Sequence, residues 1–136
     1  MRKWTLSLVI FALLSAAAAA PQSFPGSGGS IGAPISVATD AIGNVYFASS
    51  NLNVVFKLDP NGVLARVAGN SRLGYSGRGG PATSVQLRLV FGDSSAVSAG
   101  PAGDSAGNLF IADTSNHRNR RVSPDGIITR VAGKGG

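Results

Sequence analysis

Short apolar stretches alternate with polar, glycine-containing turns along most of this chain. Most of the stretches are five or six residues long and rich in valine, isoleucine, leucine or phenylalanine, which predicts strands over residues 35–39, 45–49, 54–58, 63–68, 109–113 and 127–132. The turns carry strong local signals: in the Asp59-Pro60-Asn61-Gly62 sequence, proline presets φ at the second position and glycine suits the last. Past residue 20, no apolar segment of useful length has the period of a helix. The pattern therefore predicts an all-β protein.

A repeat organises these strands. Residues 40–69 align with residues 104–133 at a constant offset of 64 positions without a gap, and ten of the thirty pairs are identical. Most other pairs exchange like for like, as in Tyr46/Phe110. A fixed-period repeat indicates one supersecondary unit that buries its apolar face against copies of itself. The second copy is therefore expected to repeat the strands and turns of the first, with a strand at 118–122.

Four short antiparallel strands in about 36 residues match the size of one β-propeller blade. The predicted fold is an incomplete β-propeller of about two four-stranded antiparallel blades behind an N-terminal signal helix. Its expected parts are a signal peptide (1–20), a flexible linker (21–34), a first blade (35–69), a Gly-rich inter-blade linker (70–92) and a second blade (93–136). Closed propellers typically have about 4–8 blades. Three interpretations therefore stay open: a piece of a longer propeller, a ring of several copies, and a decayed remnant.

The N-terminus has the layout of a secretory signal peptide. Arg2 and Lys3 form a positive n-region, residues 6–14 form an apolar core, and residues 15–20 are small. The alternative is an uncleaved membrane anchor, but the apolar stretch of residues 4–20 is short for a span of roughly 20 residues. Pro21 hinders cleavage directly before it, so the cut is expected within residues 17–20. The protein is accordingly predicted to be secreted or periplasmic, with no stable membrane span after cleavage.

Composition narrows the available chemistry. Cysteine is absent, which excludes disulfides and thiol chemistry. All six acidic residues are aspartate, and His117 is the only histidine. Loss of Arg2 and Lys3 with the signal lowers the formal charge from +6 by two, to +4. The remaining chain of about 116 residues is long enough for one small domain.

The second copy resembles a known repeat family. The run DSAGNLFIADTSNHR at 104–118 and its continuation RVSPDGIITRVAG at 121–133 resemble the NHL repeat, which is named for an Asn-His-Leu signature. The GYSG and GGPATS motifs within 74–84 look like the inter-blade linker of exported bacterial NHL proteins, which resemble the NHL domain of teneurins. The resemblance covers essentially the whole mature chain. It implies a β-propeller that usually acts as a binding surface for protein, RNA or other ligands; a minority of relatives are lyases or hydrolases with metal in the central channel.

The chain departs from the family pattern at four places. The first copy lacks the signature, because residues 49–53 read SSNLN. Asn119 stands where an aliphatic residue is expected, and because Val55 occupies the matching position, the Asn119 side chain is predicted to be buried between neighbouring blades. Arg78 stands where the linker usually has aspartate. Pro101 lies near the centre of the segment that should open the second blade, and a central-strand proline argues against a paired strand.

Histidine and aspartate can act in catalysis or metal binding, but in this chain they are interpreted as structural. His117 could act as a base or metal ligand, but it occupies a turn of the repeat signature, and one histidine without glutamate or cysteine cannot build a typical zinc site. The aspartates could bind calcium through oxygen, but five of them fall at strand ends or turns, where aspartate caps the backbone: Asp40, Asp59, Asp104, Asp113 and Asp125. No catalytic, metal-binding or cofactor-binding residue is predicted. The predicted repeat-signature and structural residues are Asp40, Gly43, Asn44, Pro60, Gly62, Asp104, Gly107, Asn108, Asp113, Asn116, His117, Arg118, Pro124 and Gly126.

One basic cluster, Arg118-Asn119-Arg120-Arg121, is joined by Arg130 and Lys134. Such a patch can bind nucleic acid, but it is also typical of a solvated strand face with arginine stems covering apolar surface. Aromatic residues for base stacking are sparse and export removes most nucleic-acid partners, so nucleic acid is not the expected ligand.

The function predicted from the sequence is that of an exported, non-enzymatic NHL-type propeller segment that acts as a binding and interaction scaffold. Its expected partners are an unidentified protein or glycan, and further propeller blades or other copies of itself. The alternative is a partial catalytic domain of a propeller lyase or lactonase. A convergent set of carboxylates and histidines at the inner ends of the blades would distinguish the second function from the first.

Overall fold

Two antiparallel β-sheets form the part of the chain that the structure, a computed structural model, describes: residues 30–89 and 102–135. The first sheet has the strand order β1-β2-β3-β4, and its strands are β1 (Pro34–Thr39), β2 (Val45–Ser49), β3 (Val54–Leu58) and β4 (Leu64–Ala68). The second has the order β5-β9-β8-β7-β6, with β5 (Gly80–Pro81), β6 (Ala102–Gly103), β7 (Leu109–Asp113), β8 (Arg118–Val122) and β9 (Ile127–Ala132). Two short 3-10 turns, Ala82–Ser84 and Thr114–Asn116, complete the regular structure.

The structure confirms the all-β prediction. The predicted strands agree with the observed ones to within one residue at each end. The two sheets do not close into a ring within the described residues. The signal peptide, most of the 21–34 linker and Pro101 lie outside those residues. At the opening of the second repeat, β6 pairs with β7 over only two positions, Ala102↔Phe110 and Gly103↔Leu109.

The hydrophobic core lies between the sheets. The first sheet contributes Ala48, Val55 and Ala68 from one of its faces, and the second contributes a larger set from the facing side, which comprises Leu109, Ile111, Val122 and Ile128. Burial of each large aliphatic side chain stabilises the fold by about 1.5–3 kcal/mol. The two sheets therefore depend on each other for much of their stability.

The segment between the sheets is part of the core as well as a connection. Val85, Leu87 and Leu89 are buried between the sheets. Two hydrogen bonds join the segment to the first sheet: the N–H of Gly69 donates to the carbonyl of Ala82 (2.9 Å), and the N–H of Leu89 donates to Asn53 Oδ1 (2.9 Å). The segment predicted as a Gly-rich linker thus covers the inner face of the first sheet.

Asn119 is exposed, so the prediction that its side chain is buried between blades was wrong. Successive residues of a strand point to opposite faces, and Arg120 points into the core. Asn119 therefore faces away from the first sheet, where no other sheet covers it within the described ranges. Val55, at the matching position of the first repeat, is fully buried because the second sheet and its connecting segment lie over it.

Candidate binding surfaces

One aspartate holds the turn that opens each repeat: Asp40 in the first and Asp104 in the second. Asp40 Oδ1 accepts hydrogen bonds from the N–H groups of Ile42 (3.2 Å) and Asn44 (2.9 Å), and its Oδ2 accepts one from Asn44 Nδ2 (2.7 Å). Asp104 repeats this with the N–H (2.8 Å) and Nδ2 (2.9 Å) of Asn108. Hydrogen bonds from the asparagine side chain lower the pKa of both carboxyl groups. The aspartates of these turns therefore hold the backbone of the turn through hydrogen bonds.

Proline and glycine residues of the signature lie in the other turns, which backbone hydrogen bonds close. In the second hairpin of each repeat, Pro60 and Pro124 follow the first turn residue, and the N–H groups of Gly62 and Gly126 close the turns on the carbonyls of Asp59 (2.9 Å) and Ser123 (2.8 Å). In the opening turns, Gly43 and Gly107 donate to the carbonyls of the same two aspartates, Asp40 and Asp104.

Replacement of Asn108 tests how the opening turn of the second repeat lowers the pKa of Asp104. We expect Asn108→Ala to raise the pKa of Asp104 towards its ordinary value of 3.8, because the largest cause of the lowering is lost. A carboxyl with a lowered pKa stabilises the fold above its unfolded pKa and loses that contribution as the pH falls through its folded pKa. An NMR titration of the aspartate side-chain carbons measures the midpoint. Asn44→Ala serves as the matched control, since it should move Asp40 only; an unchanged Asp104 midpoint in Asn108→Ala would contradict the assignment.

Asp113 forms a buried ion pair with Arg120. Arg120 Nη1 lies 3.3 Å from Asp113 Oδ2, and both side chains are fully inaccessible to solvent. Asp113 Oδ1 accepts from the N–H of Arg88 (2.8 Å) and from Asn116 Nδ2 (2.8 Å). Arg120 Nη2 donates to the carbonyls of Ser76 and Gly77. Each charge is therefore held by several partners, and the pair ties the connecting segment to β7 and β8.

This pair changes two predictions. Asp113 was expected to cap the backbone of its own strand end, whereas it bonds Arg120 and the distant N–H of Arg88. Arg120 was assigned to a solvated face, and its complete burial shows that this was wrong. A signal existed in the repeat: the matching residues of the first copy are Ser49 and Phe56, so both members of the pair change together.

Tyr75 lies between Arg118 of the basic cluster and Arg78 of the connecting segment. The guanidinium carbon of Arg118 lies 3.9 Å from the centre of the Tyr75 ring, an attractive cation–π arrangement. Arg118 also donates to the carbonyls of Asn116 and Lys134 (both 2.8 Å). On the other side, Arg78 Nε donates to the Tyr75 hydroxyl (3.3 Å), and this bond lowers the pKa of the phenol. Arg118 is thus engaged in packing the 74–78 segment against the second sheet.

His117 lies in the turn between β7 and β8. It is exposed and has a left-handed backbone with φ +52°, and its N–H donates to the carbonyl of Thr114 (2.8 Å). Asn53, the matching residue of the first repeat, has nearly the same φ of +51°. The position is a turn in both copies.

The outer face of the first sheet, named here the Phe47 face, is an uncovered apolar surface. Phe47 and Phe56 contact each other with ring centres 5.3 Å apart. Val37 pairs with Phe47 across the strands and is 69% exposed, and Ile31 at the edge is 39% exposed. A shallow cavity of about 360 Å³ lies over these residues and is lined almost wholly by apolar atoms. The outer face of the second sheet, named here the Asn119 face, carries Ala112, Asn119 and Ala132.

A second cavity, of about 400 Å³, lies between the two sheets at the end where the aspartate turns are. Tyr46 and Lys57 line it from the first sheet, Leu109 and Val122 from the second, and the 123–126 turn closes one side. The Tyr46 hydroxyl donates to Asp40 (3.1 Å), and burial followed by the nearby carboxylate raises the pKa of this phenol. This inter-sheet cleft has apolar walls with a few polar groups.

Two further properties concern only residues 30–89 and 102–135. No group of three or more histidine, cysteine, aspartate or glutamate residues there is placed to hold a metal ion. In the same ranges, no helix has the length and apolarity needed to cross a membrane.

No protein-family model matches the sequence, and no curated protein matches it either. Among solved structures, a structural genomics protein of unknown function from Bacteroides thetaiotaomicron VPI-5482 is similar to this chain, with 24% sequence identity and a TM-score of 0.48. The similarity covers 68% of this chain and 22% of that protein, so this chain spans less than a quarter of its length.

Proposed function

We propose that this chain is an exported binding scaffold, in which rigid sheet faces contact a partner and no reaction is catalysed. The scaffold is of the NHL propeller type, with each sheet as one blade. The observation that carries the proposal is the Phe47 face, where a pair of phenylalanines and the exposed Val37 lie on a four-stranded antiparallel sheet. Contiguous apolar surface of this kind marks interaction sites on soluble proteins.

The proposed partner is another sheet of the same repeat, supplied by a second copy of the chain. Inside one molecule, the surface around Ala48 and Val55 packs against Ile111 and Val122. The repeat places Phe47 and Leu58 at the positions of these last two residues. It likewise places Ala112 and Asn119 at the positions of Ala48 and Val55. The Asn119 face of one copy can therefore pack on the Phe47 face of the next, in the arrangement of the internal contact.

The experiment is sedimentation velocity of the exported protein over a wide concentration range. We expect association that increases with concentration and that Val37→Asp weakens at least about tenfold, equivalent to 1.4 kcal/mol, because a charge would be buried at the contact. Ile42→Asp is the matched control: Ile42 is 76% exposed but lies in the opening turn, away from the Phe47 face. A protein that stays monomeric throughout, or equal effects of the two variants, would contradict the proposal.

A further inference from the structure

The inter-sheet cleft has charges of opposite sign on its two walls, and they do not pair. Lys57 lines it from β3, and Asp125 lines it from the turn after β8. Across the described ranges, the single ion pair joins Arg120 to Asp113, and Lys57 has no hydrogen-bond partner there. Asp125 Oδ1 accepts from the Ser123 hydroxyl and from the N–H of Ile127 (3.4 Å), and its carboxylate makes no ion pair within the described residues. Each wall therefore carries a charge that no group on the opposite wall pairs within the described residues.

Most of the cleft surface is apolar. Leu109 and Val122, both nearly buried, line it together with Pro81. Thr83 adds a hydroxyl that has no protein partner among the residues described. The cavity of about 400 Å³ lies within the range of small-ligand pockets, about 300–1,000 Å³. A ligand with one charge would leave the other wall unpaired, and a fully polar ligand would have no match for the apolar surface.

We infer that this cleft binds a small zwitterion with an apolar body, of the class of free dipeptides with apolar side chains. Lys57 receives the ligand carboxylate and Asp125 receives its ammonium group. The aliphatic side chains of the ligand contact Leu109 and Val122, and Thr83 donates a hydrogen bond within the cleft. The site does not include the Phe47 face, so it is independent of the self-association proposed above.

The test is isothermal titration calorimetry of the full exported chain with leucyl-leucine and two analogues that each lack one charge. The amide of the dipeptide lacks the carboxylate, and the N-acetyl form lacks the ammonium group. We expect each analogue to bind at least about tenfold more weakly than leucyl-leucine, which corresponds to 1.4 kcal/mol or more. Lys57→Met should abolish the preference over the amide, and Asp125→Asn should abolish the preference over the N-acetyl form.

Arg66→Met is the matched control, because it removes a cation from the strand next to β3 on the outward side, where Arg66 pairs with Phe56. It should leave dipeptide binding unchanged, as should Val37→Asp. The thermal midpoint of each variant identifies any loss of folding, and Asp125→Asn keeps an oxygen that can accept the turn hydrogen bond. Absence of dipeptide binding, equal binding of the N-acetyl form, or unchanged selectivity in a folded Lys57→Met protein would overturn the inference.

Discussion

Replacement of Asp113 by alanine is expected to lower the free energy of unfolding by about 3–5 kcal/mol. The variant leaves the guanidinium of Arg120 fully buried without its carboxylate, and an unpaired buried charge is among the most destabilising changes a point substitution makes. Small domains are stable by only about 5–15 kcal/mol, so this loss would be a large part of the free energy of unfolding. Denaturant unfolding followed by circular dichroism measures the change.

Two controls separate the ion pair from other effects. Asp104→Ala removes an aspartate of an exposed turn and should cost a small fraction of the Asp113→Ala loss. The double variant Asp113→Ser with Arg120→Phe introduces the residues that the first repeat has at these positions, Ser49 and Phe56. It should regain more than half of the loss, because removing both charges leaves no unpaired one. A double variant no more stable than the single would show that the loss has another origin.

Gly69→Ala is expected to cost about 3–5 kcal/mol, which is large for a point variant. Gly69 follows β4 with φ +85°, and an added Cβ would lie 2.2 Å from the carbonyl oxygen of Asn53. The overlap is with backbone, so relief requires movement of the turn whose Asn53 side chain holds Leu89 in the core. The hydrogen bond from Gly69 to Ala82 is lost with the same movement.

Gly79→Ala provides the comparison at matched backbone strain. Gly79 has φ +78°, and no atom lies within 4 Å of the Cβ it would gain. Only the cost of a left-handed conformation applies there, about 1–2 kcal/mol. Thermal and denaturant unfolding of the two variants should therefore differ by the cost of the overlap. Equal losses would mean that the turn at Asn53 moves freely and does not position the connecting segment.

The parts of the fold that depend on neighbouring residues could be predicted from the sequence. Turns such as Asp104–Asn108 and Asp59–Gly62 close through bonds between residues at most four positions apart, so their composition nearly determines their geometry. The strand limits follow from these turns. Because the second copy repeats the first, the same strands and turns are predicted for it. They include β8, although its own residues do not favour a strand.

The sequence of residues 85–89 has the pattern of a partly buried extended segment, although the residues around it favour a linker. Its alternation of Val85, Leu87 and Leu89 with Gln86 and Arg88 is the period-two pattern of a half-buried extended chain. The neighbouring glycines favoured a linker, and the segment forms only an isolated bridge, between Leu73 and Leu87, instead of a strand. The segment is buried because it fills the space between the two packed sheets.

The joint change of residues 113 and 120 between the two copies indicates that they form a pair, but burial of Arg120 and exposure of Asn119 depend on distant residues. The partners of Arg120 at Ser76 and Gly77 are more than forty positions away, as their separations of 44 and 43 show. The environment of Asn119 depends on what covers the second sheet. The inter-sheet cleft was likewise not predicted, since Lys57 and Asp125 come from different repeats and only the stacking of the sheets brings them to one cavity.

The order of the strands along the chain has a consequence for synthesis. All pairings of the first sheet join consecutive strands, so it can form as soon as residue 68 has emerged from the ribosome. The second sheet is different, because β5 pairs with β9 and must wait for the last strand. Val85, Leu87 and Leu89 precede β7 in the chain, so they are available to cover the open face of the first sheet before β7 is. The connecting segment can thus shield the apolar face of the first sheet at the stage when incomplete sheets are most prone to aggregate.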